Sequence, residues 1–460
     1  MKTNFDTNEV YRNLLGVKDK NIIFEFGSEV REKIDGVWTQ IVDAKLLGNV
    51  AFEECCEERH IHKNGFLKTH VLLPKPSSRD KTILRLYKQR HRCKNCNKSS
   101  VVSTPLVNKS CTISNPLKLH IFHDACKKRS EVCIGYDNAV SNTSVSRIID
   151  EIYEKRGIDF DKLPKVMCFD ELKSTKDAEG AMSFIYADAD TGKIMDILES
   201  RTLEFLRIYF SRFTVEAREG VEKIVIDMYS PYMTLINDLF PKAEIITDKF
   251  HIVQLISRAL NKTRVKIMNF KEQKKNYKKL KKYWKLLLKY KDDVNSKKYR
   301  YCPCFRRKMT HKGIIEYLLT TDDELRETYE LYQDLLHAVR TKDAEKFEKV
   351  LTEAFDEKGK PIEGISNYMK TSVETLRGYL PSVLAALNTK YTNGLIEGLI
   401  TQIKLIKRIA FGYRNFVHFK ARILMIHDYN PVKLEKLRKK KRKAEEQAAE
   451  IALLEFRRSA

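Results

Sequence analysis

Three acidic residues, Asp170, Asp227 and Glu397, stand where their carboxylates could converge. Asp170 closes the apolar run LPKVMCFD and Asp227 closes EKIVID, so each is expected at the end of a buried strand. If those strands are neighbours, both side chains emerge at one sheet edge, where an α/β fold places its site. Glu397 falls in NGLIEGLITQIKLIKRIAFG at 393–412, whose spacing predicts a final helix with Ile400, Thr401 and Lys404 on the face of the glutamate. Carboxylates gathered on one spot repel one another, by on the order of 1–4 kcal/mol per close pair, so such a cluster implies cations. Ligands that are all oxygen favour Mg²⁺ or Mn²⁺, and two such ions suit in-line attack on a phosphodiester. An aspartate at a strand end is also an ordinary turn or cap residue, and the chain has 62 acidic side chains. The residues alone leave both readings open.

The elements that must position these acids begin at 164. LPKVMCFD, MSFIYADAD and IMDILES read as strands, with a turn at Asp190-Thr191-Gly192, and TLEFLRIYFSRF as an amphipathic helix. EKIVIDMYSPY is a buried strand followed by a helix from Ser230, and AEIITDKFHIVQLISRAL is a strand passing into a helix at Asp248. This is an α/β domain with a mixed sheet, over 164–270 and 386–427. Between its halves, 271–385 is rich in Lys, Tyr and Leu at helical spacing and reads as an all-α insertion, with Cys302-Pro-Cys304 in a loop. The tail 428–460 is a charged helix or a disordered arm.

Upstream, residues 1–45 contain the strand-like NIIFEF and VWTQIVDAKL, a hairpin to which no chemistry is assigned. The module at 46–112 holds Cys93-Lys-Asn-Cys96, a knuckle that aims two thiolates at one tetrahedral ion. Its upstream half offers adjacent Cys55 and Cys56 instead of a second spaced pair, with Glu53 before them. A metal-free remnant of a zinc ribbon is the favoured reading; structural zinc on Cys56, Cys93 and Cys96, with His60, His62 or His70 completing the shell, is the alternative. Cys111, Cys126, Cys133 and Cys168 sit singly among apolar residues and read as small buried hydrophobes. Residues 113–155 read as three short helices in a helix-turn-helix pattern. The last should pack Val145, Ile148 and Ile149 inward and turn Thr143, Ser144, Ser146 and Arg147 outward, toward a major groove if the segment is more than a plain helical hairpin.

Composition points the same way. Lys plus Arg number 86 against 62 Asp plus Glu, a formal charge of +24 over 460 residues, which favours a polyanionic partner over mere solubility only in company with such motifs. The chain shows no run of about 18 apolar residues and opens on MKTNFDTNEVYRN, without a secretory pattern. A soluble cytoplasmic protein with reduced cysteines and no membrane partner is expected.

The segments LPKVMCFDELKS, EKIVIDMYSPYMTLINDLFPKAEIITDKFHIVQLISRALNKTR and TNGLIEGLITQIKLIKRIAFGYRNFVHFKARIL, with RHRCKNCNK and the helical triplet, resemble the ISL-three family of bacterial insertion-sequence transposases. The resemblance covers about residues 45–427. It implies a ribonuclease-H-like catalytic core interrupted by an α-helical insertion, N-terminal zinc-ribbon-like and helix-turn-helix modules, and a catalytic triad of Asp170, Asp227 and Glu397 holding two Mg²⁺ or Mn²⁺ ions. It also implies supporting roles for Asp248 and His251 in an Asp-x-x-His element, and for Lys404. Asp248 is expected to cap the helix it precedes. The implied activity is binding of the terminal inverted repeats of an insertion sequence, then cleavage and transfer to target DNA by a homo-oligomer. A structure-specific nuclease on the same fold, or a non-catalytic DNA-binding derivative, is the alternative. The adjacent Cys55 and Cys56 depart from the family's spaced pair, which puts the zinc in doubt but not the core.

Overall fold

A computed structural model describes residues 7–50, 60–75 and 80–429. They fall into two compact units, one within Met1–Gly157, Thr175–Asp177 and Ile403–Ala460, the other within Ile158–Ser174 and Ala178–Gln402.

The first unit opens with helix α1 (Thr7–Leu15) and strands β1 (Ile22–Phe24), β2 (Val30–Ile34), β3 (Val37–Leu46), β4 (Ile61–Leu73), β5 (Lys81–Cys93) and β6 (Ser99–Val101). The strands form one sheet in the order β1-β3-β5-β4, with β2 on β3 and β6 on β5. Side chains two apart share a face, so Val42, Ala44 and Leu46 meet Val71, Leu73, Leu84 and Leu86 in one core. The hairpin expected at 1–45 and the ribbon-like module expected from 46 are therefore parts of a single sheet. The Cys93–Cys96 knuckle is the turn from β5 to β6, closed by Cys93 N–H donating to Lys98 O at 2.9 Å.

Three helices follow, α2 (Asn115–Ala125), α3 (Glu131–Asn138) and α4 (Asn142–Tyr153). Ser114, Ser130 and Ser141 cap them, each side-chain oxygen accepting an N–H three residues on. The α3–α4 turn is so tight that a Cβ on Gly135 would lie 2.7 Å from Val140 O, so only glycine fits there. Val145, Ile148 and Ile149 are buried as expected.

The second unit is built on strands β7 (Val166–Lys173), β8 (Met182–Asp188) and β9 (Ile194–Leu198), then helices α5 (Leu203–Phe210) and α6 (Val215–Glu219), strand β10 (Lys223–Ile226), helix α7 (Ser230–Leu239), strand β11 (Glu244–Thr247) and helix α8 (Lys249–Met268). The sheet order is β11-β10-β7-β8-β9. β7, β8 and β9 run antiparallel in turn, whereas β10 lies parallel to β7 and β11 parallel to β10. The mixed sheet expected from the sequence is present. Beneath it Phe169, Phe184, Tyr186, Phe210 and Phe240 form an aromatic core with Leu206 and Ile224; burying each such ring is worth about 1.5–3 kcal/mol.

The segment expected to be all-α departs from that description. It contains helices α9 (Tyr277–Lys282) and α10 (Trp284–Leu287), then a two-stranded ladder, β12 (Arg300–Cys302) with β13 (Arg307–Met309). Cys304 lies in its connecting turn. The lysine-rich stretch is thus two short helices, each of which buries one leucine, Leu280 and Leu287, and leaves its lysines outward. α11 (His311–Leu319), α12 (Asp323–Thr341), α13 (Ala344–Glu353), α14 (Asn367–Gly378) and α15 (Leu380–Leu387) complete the segment. α12 and α14 pack on α8, while α15 returns to β11, where Thr247 Oγ1 and Ser382 Oγ lie 2.8 Å apart.

Helix α16 (Gly394–Ile409) is followed by α17 (Phe416–Asp428). The sequence pattern groups 386–427 with the α/β domain, but Ala421 and Met425 of α17 share a core with Leu117, Ile121, Ile134 and Val145 of the three-helix segment. Arg422, 1 % exposed, donates to the carbonyls of Lys127 (3.3 Å) and Arg129 (2.8 Å). The helical pattern of α17 shows an apolar face but not which partner covers it.

Candidate active site

The parallel pairing of β10 with β7 sets Val225 opposite Cys168. Carrying that register on by two places puts Asp227, just past β10, beside Asp170. Asp170 lies within β7, not at its end: β7 continues to Lys173 because β8 still pairs with it, Asp170 facing Ile185. Asp248 follows β11 as Asp227 follows β10, so these two aspartates emerge where parallel strands finish, with Asp170 in register beside Asp227.

Asp227 is the hub. His251 Nε2 lies 3.0 Å from its Oδ1, and Asn393 Nδ2 donates to the same oxygen at 3.3 Å and to Phe169 O at 3.3 Å. Asp248 occupies the cap position of α8 without making a side-chain cap bond. Instead its Oδ1 accepts the N–H of Asn393 at 3.2 Å, which corrects the capping role expected for it. The tertiary approach of the 388–393 segment outcompetes the local N–H groups. Asp227, Asp248 and His251 bring one donor atom each within 4.8 Å of one another, a group able to hold a metal ion.

Asp170 accepts only the N–H of Glu171, at 2.6 Å. Burial pushes its carboxyl up to about 6, and the charges of Asp227 and Glu397 add to the shift against the Glu171 N–H. Burial also raises Asp227; His251 and Asn393 oppose the rise, Asp248 and Glu397 reinforce it. Glu397 is exposed on the first turn of α16 and thus acts on both aspartates through its charge. Of the three predicted acids, Asp170 and Asp227 line one cleft, and Glu397 reaches both through its charge without lining it. Glu171 beside them is already matched, by Arg201 Nη1 and by Tyr232 Oη at 2.6 Å. Asp170 and Asp227, both raised, resist ionisation side by side, and the oxygen-rich donor set suits a divalent cation. Asn393 Oδ1, buried beside Asp227 with no protein partner, adds a neutral oxygen to that set.

These groups open on a cleft of about 550 Å³ lined by Asp170, Asp227, His251, Gln254 and Arg258. Sequence reasoning missed Asn393 and Arg258. Asn393 was legible as a cap, its carbonyl accepting Glu397 N–H at 3.0 Å. Arg258 follows His251 by two helical turns on α8, a spacing that marks one face. On α16, Thr401 and Lys404 are exposed with Glu397, whereas Ile400, expected on that face, is 6 % exposed and packs inward. At three residues' spacing it sits about 60° from Glu397, enough to turn an isoleucine into the core.

Of the four residues expected outward on α4, Thr143 and Arg147 are exposed. Ser144 is half-buried, its Oγ 3.0 Å from Ser141 Oγ. Ser146 turns inward and donates to Glu131 Oε2 at 2.5 Å, because a carboxylate on α3 offers it more than water does. In the knuckle Cys93 is buried and Cys96 half-buried; Lys94 N–H donates to His60 O at 2.9 Å. Cys56, the third proposed zinc ligand, lies outside the described residues, as do Cys55 and most of the basic tail. Cys126 and Cys168 are buried as expected, but Cys111 and Cys133 are exposed. Among the described residues no helix is long and apolar enough to cross a membrane.

The mixed parallel and antiparallel sheet thus carries clustered aspartates beside its parallel strands, and Asp227, Asp248 and His251 form a donor group able to hold a metal ion. Residues 167–423 match the model of the ISL3 family of DDE-type transposases, described as "Transposase", and the chain belongs to that family. It is 25 % identical over 233 residues to the transposase for insertion sequence element IS1001 of Bordetella parapertussis, covering 50 % of this chain and 53 % of that protein. It is 35 % identical over 133 residues to a Lactococcus lactis subsp. lactis protein named ATP-dependent protease, covering 29 % of this chain and 40 % of that one. The chain thus spans about half or less of these curated relatives.

Proposed function

We propose that the chain is a DNA transposase that binds the terminal inverted repeats of its insertion sequence and carries out divalent-metal-dependent cleavage and strand transfer. The observation that carries this reading is the single electrostatic field shared by Asp170, Asp227 and Glu397 in a chain of this family. The sheet order, an antiparallel trio joined by two parallel strands, supports a ribonuclease-H-like core. The name of the Lactococcus relative argues little for a nucleotide-driven protease here, since the sequence contains no G-x-x-x-x-G-K-S/T phosphate loop.

In this reading Asp170, Asp227 and Glu397 hold two Mg²⁺ or Mn²⁺ ions. Bound divalent cations supply activation of the attacking oxygen and neutralisation of the leaving one. The chain's own groups do the positioning. Asn393 fixes Asp227 from one side and His251 from the other, while Asp248 fixes Asn393. Arg258 offers a cation to a phosphate entering the cleft, and Lys404, seven residues beyond Glu397 on α16, is the further cation of this reading. Thr143 and Arg147 at the exposed start of α4 read base edges in a helix-turn-helix.

The test is strand transfer by the purified full chain on linear DNA carrying the element's end, with a plasmid target and Mg²⁺. Joined product is expected. Cleavage without joining would assign a structure-specific nuclease, and end binding with neither reaction a non-catalytic DNA-binding protein.

A further inference from the structure

We propose that Phe411 is a wedge that enters the base stack of duplex DNA, an inference that rests on the transposase reading above. Helix α16 ends in a cap closed by two bonds, Gly412 N–H to Lys407 O at 2.8 Å and Phe411 N–H to Arg408 O at 3.1 Å. This pattern places one residue in the left-handed region, where a Cβ crowds the backbone and glycine is favoured. Here that residue is Phe411, with φ +56, while the glycine comes one place later, with φ +95.

Phe411 is also 97 % exposed, the most exposed large hydrophobic side chain among the described residues. It takes part in none of the ring pairs or cation–ring contacts found among them. An aromatic ring that strains its backbone and faces water loses on both counts, and nothing within its unit compensates. The segment that follows the ring is tied down on both sides of Arg414. Tyr413 packs its ring on His418 and Phe419, with centroids 5.9 and 5.4 Å apart. Phe416 is buried, its N–H held by Asp177 Oδ2 at 2.9 Å. Asn415 caps α17 by accepting His418 N–H.

The surroundings choose the occupant. Arg408 and Arg414 flank the ring in sequence and are exposed, as is Lys404. An exposed apolar tip with arginines three residues before and after it in the chain matches a polyanion with an apolar interior, namely stacked bases between phosphate rows. The tip belongs to the unit that also carries α4, and α17, which follows directly, packs against that helical segment. Such a wedge would unstack one base step while α4 reads its neighbours.

The experiment places 2-aminopurine singly along a duplex of the element's end and measures its fluorescence on binding the full chain. Wild type should brighten the probe at one step. Phe411→Gly relieves the left-handed strain, so it should unfold no earlier than wild type. It should nevertheless lose the fluorescence rise and bind about tenfold more weakly, the worth of one base–ring stack. Phe411→Trp should restore both. If Phe411→Gly brightens the probe and binds as wild type does, the ring is not in the DNA. If it instead changes the oligomeric mass with DNA binding intact, the ring serves a second copy of the chain, and the wedge is overturned. Failure of wild type to bind the element's end would instead sink the transposase reading, and the wedge with it.

Discussion

Two clusters of ionisable side chains are partly buried in this chain, and their compositions are opposite. Around Asp170 and Asp227 the groups are mostly acids, and burial with like charge raises both carboxyls. Around His418 they are matched: Nδ1 meets Asp150 Oδ1 at 2.6 Å, Nε2 meets Glu131 Oε1 at 2.8 Å, and Ser146 donates to the other oxygen of Glu131. Burial disfavours charged His418, but the bonds and charges of Glu131 and Asp150 outweigh it and raise the imidazole. Burial likewise works against ionised Glu131, and His418 together with Ser146 and Arg422 more than offsets it, so the carboxyl falls below its ordinary range. The matched cluster is complete and holds α17 to α3 and α4. The acidic cluster has no such full set of counter-charges, and in the proposed reading a divalent cation supplies it, which a structural clamp does not need.

The comparison can be broken most severely at the acids. Asp170→Asn, Asp227→Asn and Glu397→Gln should each lower cleavage on the order of a thousandfold or more, with end binding unchanged in a gel-shift assay. Near-normal cleavage by any of them removes that residue from the ligands. In the absence of metal at pH 7, Asp170→Asn should in addition stabilise the protein, by about 1 kcal/mol after discounting for its partial exposure. It should also abolish part of the rise in unfolding midpoint that Mg²⁺ gives wild type.

At the matched cluster the effect is on folding. His418→Ala leaves Glu131 buried with only the Ser146 hydroxyl as a hydrogen-bond donor and should cost about 2–4 kcal/mol in denaturant unfolding, with the strand-transfer chemistry intact in whatever fraction stays folded. A loss below about 0.5 kcal/mol would show that the cluster is no clamp.

Acidity separates the two in one titration. Asp170 has a raised folded pKa, so its contribution is present in full below the ordinary carboxylate value of 3.8 and is lost as pH rises through about 6. His418 is raised from 6.5, so its contribution holds to that pH and is lost only above it. Glu131 is lowered from 4.5, and its contribution is lost only as pH falls below that. Of the two clusters, only the acidic one should therefore lose stability between about pH 5 and 6.5 in the metal-free protein, and Asp170→Asn should remove that loss, leaving the gain from His91 and His311, which burial lowers from 6.5. A profile that keeps its slope in this variant would assign the dependence elsewhere.

The smallest effects concern cations at the cleft and on the insertion. Arg258→Ala and Lys404→Ala should slow cleavage about tenfold with little change in affinity, read from single-turnover rates. Neutralising Lys274, Lys275 and Lys278, which line one groove with Lys271 and Lys279, should instead weaken binding to all DNA. It should also reduce the salt slope by roughly one for each phosphate that the variant no longer neutralises. An unchanged slope means that this groove does not touch DNA.

How far the sequence reaches can be read residue by residue. The runs VMCFD, KIVID and EIIT are short, apolar and β-branched, and each became the strand that such a run favours, because local propensity and burial agree there. The same runs put an aspartate at or near each strand's carboxyl end, so the acids were legible from the order of residues alone. Val145, Ile148 and Ile149 were equally legible from their spacing. What spacing cannot convey is the partner across space. Asp248 looked like a cap and is held by Asn393, 145 residues away. Ser146 looked solvent-facing and bonds Glu131. Helix α17 looked like a continuation of the α/β domain and packs on the three-helix segment. The expected hairpin and ribbon are one sheet because β3 pairs in parallel with β5, a pairing no turn signal announces. Periodicity fixes which face of an element is apolar, a local property of side-chain order. Which surface covers that face, and which distant N–H or carboxylate satisfies a polar group on it, depends on contacts between residues far apart in the chain, and only the folded structure decides them.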